Sequence, residues 1–198
     1  MNEDQQKALV ADFLGRYGLK TTAIVEGSAK TPDFDVSVNG TRKFYCELKS
    51  LDDTWLDEQL AKAPPGAIAG GARNDPVFNR VSKSIERACK QFEAINPDCE
   101  HPNVLAILNF DDISDEFDLL AVLTGNFYAD DGSTHPIYKK FSEGRVKQKK
   151  DTIDLYIWIQ VTKNNPLFSF FYNTDSQHFE ALCDSFNCTP SEIKRVYS

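Results

Sequence analysis

Along residues 3–17 the apolar positions Leu9, Val10, Phe13, Leu14 and Tyr17 recur on one face of a 3.6-residue period. This predicts an amphipathic helix ended by Gly18. The segment "TTAIVE" (21–26) is short and β-branched and predicts a strand. The period then becomes two. "FDVSV" alternates, Asn39-Gly40 interrupts, and the chain returns as "KFYCEL". Asn-Gly accepts the positive φ angles of a two-residue type I′ turn, so this stretch predicts a hairpin. Residues 51–76 hold Pro64-Pro65, three glycines and "ARNDP", which predicts an extended loop with a short helical piece near Trp55–Ala61.

From Pro76 the helical period resumes through Val77, Phe78, Val81, Ile85, Ala88, Cys89 and Phe92, and Asn96-Pro97 closes it. "NVLAILNF" (103–110) is apolar without alternation and predicts a buried strand. "DEFDLLAVL" predicts a helix, "TIDLYIWIQV" and "LFSFFYN" two further strands, and Asp175–Asn187 a closing helix. Helices and strands mix without regular βαβ spacing, within a length suited to one domain over residues 1–198. The expectation is an α/β domain.

Composition narrows the function classes. The formal charge of −8 disfavours a general polyanion binder. Charge is uneven, however: "KKFSEGRVKQKK" (139–150) carries six Lys or Arg against one Glu. Arg145, Lys147, Lys149 and Lys150 are therefore candidate nucleic-acid contacts. The five cysteines form no CxxC pair, and no apolar run approaches the roughly 20 residues of a bilayer span. With the acidic, polar start "MNEDQQKALV", these features lead us to expect reduced thiols and a cytoplasmic protein without a membrane partner.

The hairpin carries the candidate chemistry. A two-residue turn at Asn39-Gly40 places Asp33 near Cys46 and Asp35 near Phe44, with Asp33 within reach of Glu47. Glu47 and Lys49, two apart on one strand, leave the same face, while Leu48 points to the other. Two carboxylates, an ammonium and the Leu48 carbonyl can converge at one end of the hairpin. Hard oxygen donors of this kind suit Mg²⁺ or Mn²⁺, and Lys49 beside them can act on the attacking water or on the phosphate. These parts match phosphodiester hydrolysis. The plainer alternative is an ordinary ion pair between Glu47 and Lys49.

"PD" at 32–33 followed by "ELK" at 47–49 resembles the PD-(D/E)XK nuclease superfamily, and the resemblance extends over residues 1 to about 110. It implies a restriction-endonuclease-like fold, a mixed central sheet flanked by helices. It also implies metal binding by Asp33 and Glu47, a catalytic role for Lys49, and an upstream acid at Glu26. Gln91, on the polar stripe Arg80, Ser84, Arg87 and Gln91 of the second helix, is similar to a helix residue that many members place near the active site. The implied activity is Mg²⁺- or Mn²⁺-dependent cleavage of nucleic acid, DNA favoured over RNA. A homodimer or a partner protein supplying nucleic-acid affinity is compatible with this, as is a non-catalytic protein of the same fold.

Other signals point to structure. "DDISDEFD" (111–118) lacks the Gly and terminal Glu of a calcium loop and is expected to be a solvated helix start. His101, His135 and His178 are scattered without zinc or nucleophile spacing. Trp55 and Trp158 are expected in packing.

Overall fold

The computed structural model describes residues 1–25, 27, 30–52, 61–66, 77–111, 114–129, 131–137, 146, 149–162 and 165–193. Helix α1 (Glu3–Gly15) starts with a capping box, in which the Asn2 side chain accepts from the Gln5 N–H and the Gln5 side chain accepts from the Asn2 N–H. Gly18 then takes φ 73°, beyond the reach of most side chains, and turns the chain into β1 (Lys20–Ala23). β2 (Phe34–Val38) and β3 (Thr41–Leu51) form the expected hairpin, with Asn39 and Gly40 both at positive φ. After them come α2 (Val77–Ile95), β4 (Asn103–Asn109), α3 (Glu116–Thr124) and a small hairpin of β5 (Asn126–Tyr128) and β6 (Thr134–Pro136). β7 (Leu155–Gln160), β8 (Leu167–Tyr172) and α4 (Phe179–Ser185) follow.

Among the described residues six strands form one mixed sheet in the order β1-β2-β3-β4-β7-β8. β2 runs antiparallel to its neighbours β1 and β3, β3, β4 and β7 run parallel, and β8 returns antiparallel. β4 lies inside the sheet with every residue buried, which is why its sequence is an unbroken apolar run. One face packs on α1 and α4 through Val10, Phe13, Leu14, Phe34, Val36, Phe44, Cys46 and Leu182. The other packs on α2 and α3 through Val81, Ile85, Phe92, Leu119, Leu105, Ile107 and Trp158. Truncating a fully buried anchor such as Phe92 would cost about 3–5 kcal/mol. No described helix is long and apolar enough to cross a membrane.

The hairpin register corrects the sequence expectation. Val38 faces Thr41 as the turn demands, but Val36 faces Phe44, Asp35 faces Tyr45 and Phe34 faces Cys46. Between Val36 and Ser37 the register shifts, leaving Lys43 as the extra residue of a β-bulge. Two demands conflict here: the turn requires Val38 opposite Thr41, while burying Phe34 and Val36 with Phe44 and Cys46 requires a register one residue longer. The bulge satisfies both. It also sets Asp35 opposite Tyr45 on the α2 face, where the unbulged register would have put it opposite Phe44 on the α1 face.

Three further expectations change. The helical piece at Trp55–Ala61 lies outside the described residues apart from Ala61, and so does Pro76. The closing helix is shorter than Asp175–Asn187, because turns occupy its first residues and Asn187 takes φ 53°. In "DDISDEFD", Asp115 caps α3 and Asp118 completes a capping box, as acids at a helix start should. Asp111 instead is 3% exposed and pairs with Arg80 at 2.6 Å.

Candidate active site

Glu47 and Lys49 leave β3 on the α2 face, and Asp33 stands at the entry to β2 beside them. Backbone amides fix the two acids against each other. The Asp33 N–H donates to Glu47 Oε2 at 3.2 Å, and the Leu48 N–H donates to Asp33 Oδ2 at 2.9 Å. An extended residue directs its N–H and C=O to the same side of the strand. The Leu48 carbonyl therefore leaves β3 on the side of Asp33, beyond the last β2 pairing at Phe34–Cys46. Two carboxylates and one carbonyl thus meet where β2 stops covering β3.

Lys49 closes the site toward α2. Its ammonium bonds to Glu47 Oε1 and donates to Gln91 Oε1 at 2.6 Å. Gln91 Nε2 donates to the Thr31 carbonyl at 2.9 Å, so both ends of this amide are used and its orientation follows from its partners. Gln91 is 8% exposed. One glutamine thus connects α2, β3 and the segment entering β2.

Lys7, which sequence reasoning missed, reaches Asp33 from α1. Its Nζ lies 2.8 Å from Asp33 Oδ1 and 2.7 Å from Glu3 Oε1. Bonds to these two carboxylates raise its pKa above the ordinary lysine value. Lys7 precedes Val10 and Leu14 on their helical stripe, and both are buried. A cation heading an apolar stripe was the available signal.

Electrostatics at Glu47 differ from those of a surface acid. Its side chain is 2% exposed. Burial, and then the Asp33 carboxylate, push its pKa from 4.5 up to about 7, while Lys49 opposes the rise. The donor set, two carboxylates and a strand carbonyl, is all hard oxygen and fits Mg²⁺ or Mn²⁺. Among the described residues no group of three His, Cys, Asp or Glu side chains assembles that could hold a metal. Water would have to complete the coordination shell, as is common for Mg²⁺.

The remaining candidates fall elsewhere or outside view. Glu26 lies outside the described residues; Ile24, two residues before it, donates its N–H to the Asp33 carbonyl at 3.0 Å. Asp35 pairs with Arg42 through Nε at 2.9 Å. Arg80 pairs with Asp111, and Arg87 is exposed. Arg145 and Lys147 also lie outside the described residues. Lys149 and Lys150 lie at a 3₁₀ turn, with the Cys89 thiol of α2 donating to the Lys149 carbonyl at 3.3 Å. Trp158 is fully buried, as expected, and Trp55 lies outside the described residues. No protein-family model, curated protein or solved structure matches the chain.

Proposed function

We propose that this chain hydrolyses phosphodiesters in nucleic acid, DNA favoured, through a PD-(D/E)XK-type site on a restriction-endonuclease-like fold. One observation carries the reading. The carboxylates of Asp33 and Glu47 are locked together by backbone amides where β2 ends, with the Lys49 ammonium bonded to Glu47 and Gln91. The order of elements supports it too: Asp33 stands at the entry to β2, Glu47 lies on the antiparallel neighbour β3, and the following helix supplies Gln91.

Asp33, Glu47 and the Leu48 carbonyl would hold Mg²⁺ or Mn²⁺, which when bound neutralises phosphate charge and acidifies water. Glu26 is proposed as an additional acid of the same site. The two amide contacts hold the carboxylates in place before any substrate arrives, so little reorganisation accompanies binding. Lys49 donates hydrogen bonds, and its position beside the acids suits donation to a phosphate oxygen as charge builds there. Gln91 fixes where that ammonium sits. Arg145, Lys147, Lys149 and Lys150 are proposed to hold the phosphate backbone away from the reacting centre.

The net charge of −8 favours a companion reading, in which a partner protein supplies part of the nucleic-acid affinity. The purified chain should be incubated with supercoiled plasmid, single-stranded DNA and RNA in Mg²⁺, in Mn²⁺ and in EDTA. Cleavage that requires the metal and disappears in EDTA is expected. If no substrate is cut and no divalent cation is bound, the non-catalytic alternative replaces the proposal.

A further inference from the structure

Lys7 makes contacts that an ordinary surface lysine does not. Asp33 Oδ2 is committed to the Leu48 N–H, so Oδ1 is the oxygen left to face a cation, and Lys7 Nζ sits on it at 2.8 Å. The lysine is rooted in the capped first turns of α1, and Glu3 holds the same ammonium at 2.7 Å. Its side chain is 33% exposed, so it can leave Asp33 without unpacking the core. A dication held by Asp33 and Glu47 would compete with Lys7 for Oδ1 and repel its ammonium. The chain anchoring Lys7 keeps that displaced charge beside the acids.

We propose that Lys7 is a displaceable counter-cation of Asp33 that yields Oδ1 to the divalent metal and then binds a non-bridging oxygen of the substrate phosphate. This rests on the nuclease reading and adds a second ammonium, from α1, to the one that β3 supplies. The two lysines reach different acids: Lys49 bonds to Glu47, and Lys7 bonds to Asp33. In the metal-free protein they neutralise the pair from opposite layers of the fold. With substrate bound they would approach the phosphate from two sides.

The test compares wild type with Lys7→Met, which keeps the aliphatic stem, and Lys7→Arg, which keeps the charge. Mn²⁺ affinity is measured by calorimetry, and duplex affinity in Ca²⁺ is measured against salt concentration. Lys7→Met should bind Mn²⁺ roughly three- to tenfold more tightly, because its competitor is gone. Its salt slope of log K should fall by about 0.9, the value of one phosphate contact on a duplex. Lys7→Arg should keep the wild-type slope. Unchanged or weaker Mn²⁺ binding by Lys7→Met, or an unchanged slope, overturns the inference and leaves Lys7 as a pair that merely docks α1. If wild type binds Mn²⁺ and cleaves while Lys7→Met matches it in both measurements, only this inference fails. A wild type that neither binds Mn²⁺ nor cleaves removes the nuclease reading together with it.

Discussion

Gln91 accepts a hydrogen bond from Lys49 at 2.6 Å although the two residues are 42 apart in sequence, and its other end donates to the Thr31 carbonyl. α2 is therefore tied to both sides of the acid pair by one amide. Gln91→Ala frees the Lys49 ammonium to wander and leaves a carbonyl without its donor. The expected result is about a tenfold loss of kcat, with a stability loss on the order of 1–2 kcal/mol by denaturant titration. Cleavage at the wild-type rate would show that the Lys49 position does not depend on this contact.

Asp33, Glu47 and Lys49 share a site, and the proposed function gives them different tasks that substitution should separate. Asp33→Ala and Glu47→Ala remove oxygen ligands, so both Mn²⁺ binding and cleavage should disappear. Lys49→Ala removes a positive charge bonded to Glu47. Metal binding should persist or strengthen while cleavage falls on the order of 10²–10⁴-fold. Calorimetry with a plasmid assay decides it, and wild-type cleavage by Lys49→Ala would remove Lys49, and with it the PD-(D/E)XK-type site, from the proposed chemistry.

Glu47 makes stability depend on pH in a definite direction. Its folded pKa of about 7 lies above the ordinary 4.5 because burial and Asp33 disfavour the charged form. Between those values the folded chain holds a proton that the unfolded chain has released. The Glu47 contribution is therefore complete below about pH 4.5 and is lost as pH rises through 7. The shift corresponds to an effect on the order of 3 kcal/mol. Denaturant titrations at pH 5 and pH 8 should show a smaller pH-dependent loss for Glu47→Gln than for wild type. Mg²⁺ should raise the wild-type Tm more at pH 8 than at pH 5.5, since the ligand must be ionised.

Lys43 is the extra residue that reconciles the Asn39-Gly40 turn with the apolar face of the hairpin. Deleting it would leave Val38 opposite Thr41 and Phe34 opposite Cys46, now without a bulge. The deletion variant should fold with a stability change within about 2 kcal/mol and keep its Mn²⁺ affinity within about threefold. Collapse of the fold, read by circular dichroism and thermal melting, would mean that the local twist supplied by the bulge is needed in its own right.

Much of the architecture was legible because local signals and the final fold agree. The alternation in "FDVSV" and "KFYCEL", the Asn-Gly turn, the apolar run of β4 and the helical period of α2 each name an element that forms. The pairing of β5 with β6 over residues 126–136 was not anticipated, since these strands are only three residues long and β6 is exposed throughout. Asp111 resembled a solvated acid in sequence. It is buried because Arg80, 31 residues away, arrives to pair with it.

The sequence by itself determined which residues could carry the chemistry: an acid at the entry to one hairpin strand, and an acid and a lysine two apart on the other, share one end of the hairpin. A period-two pattern makes that placement local. Tertiary structure decided how these residues meet. The register that sets Asp33 on the side of Glu47 follows from burying Phe34 and Val36 against a core built by α1 and α4. Gln91 was chosen from its polar stripe by the packing of α2 against β3, and Lys7 by the docking of α1. Such contacts join residues far apart in sequence, and their geometry depends on how whole elements pack, which no local period encodes.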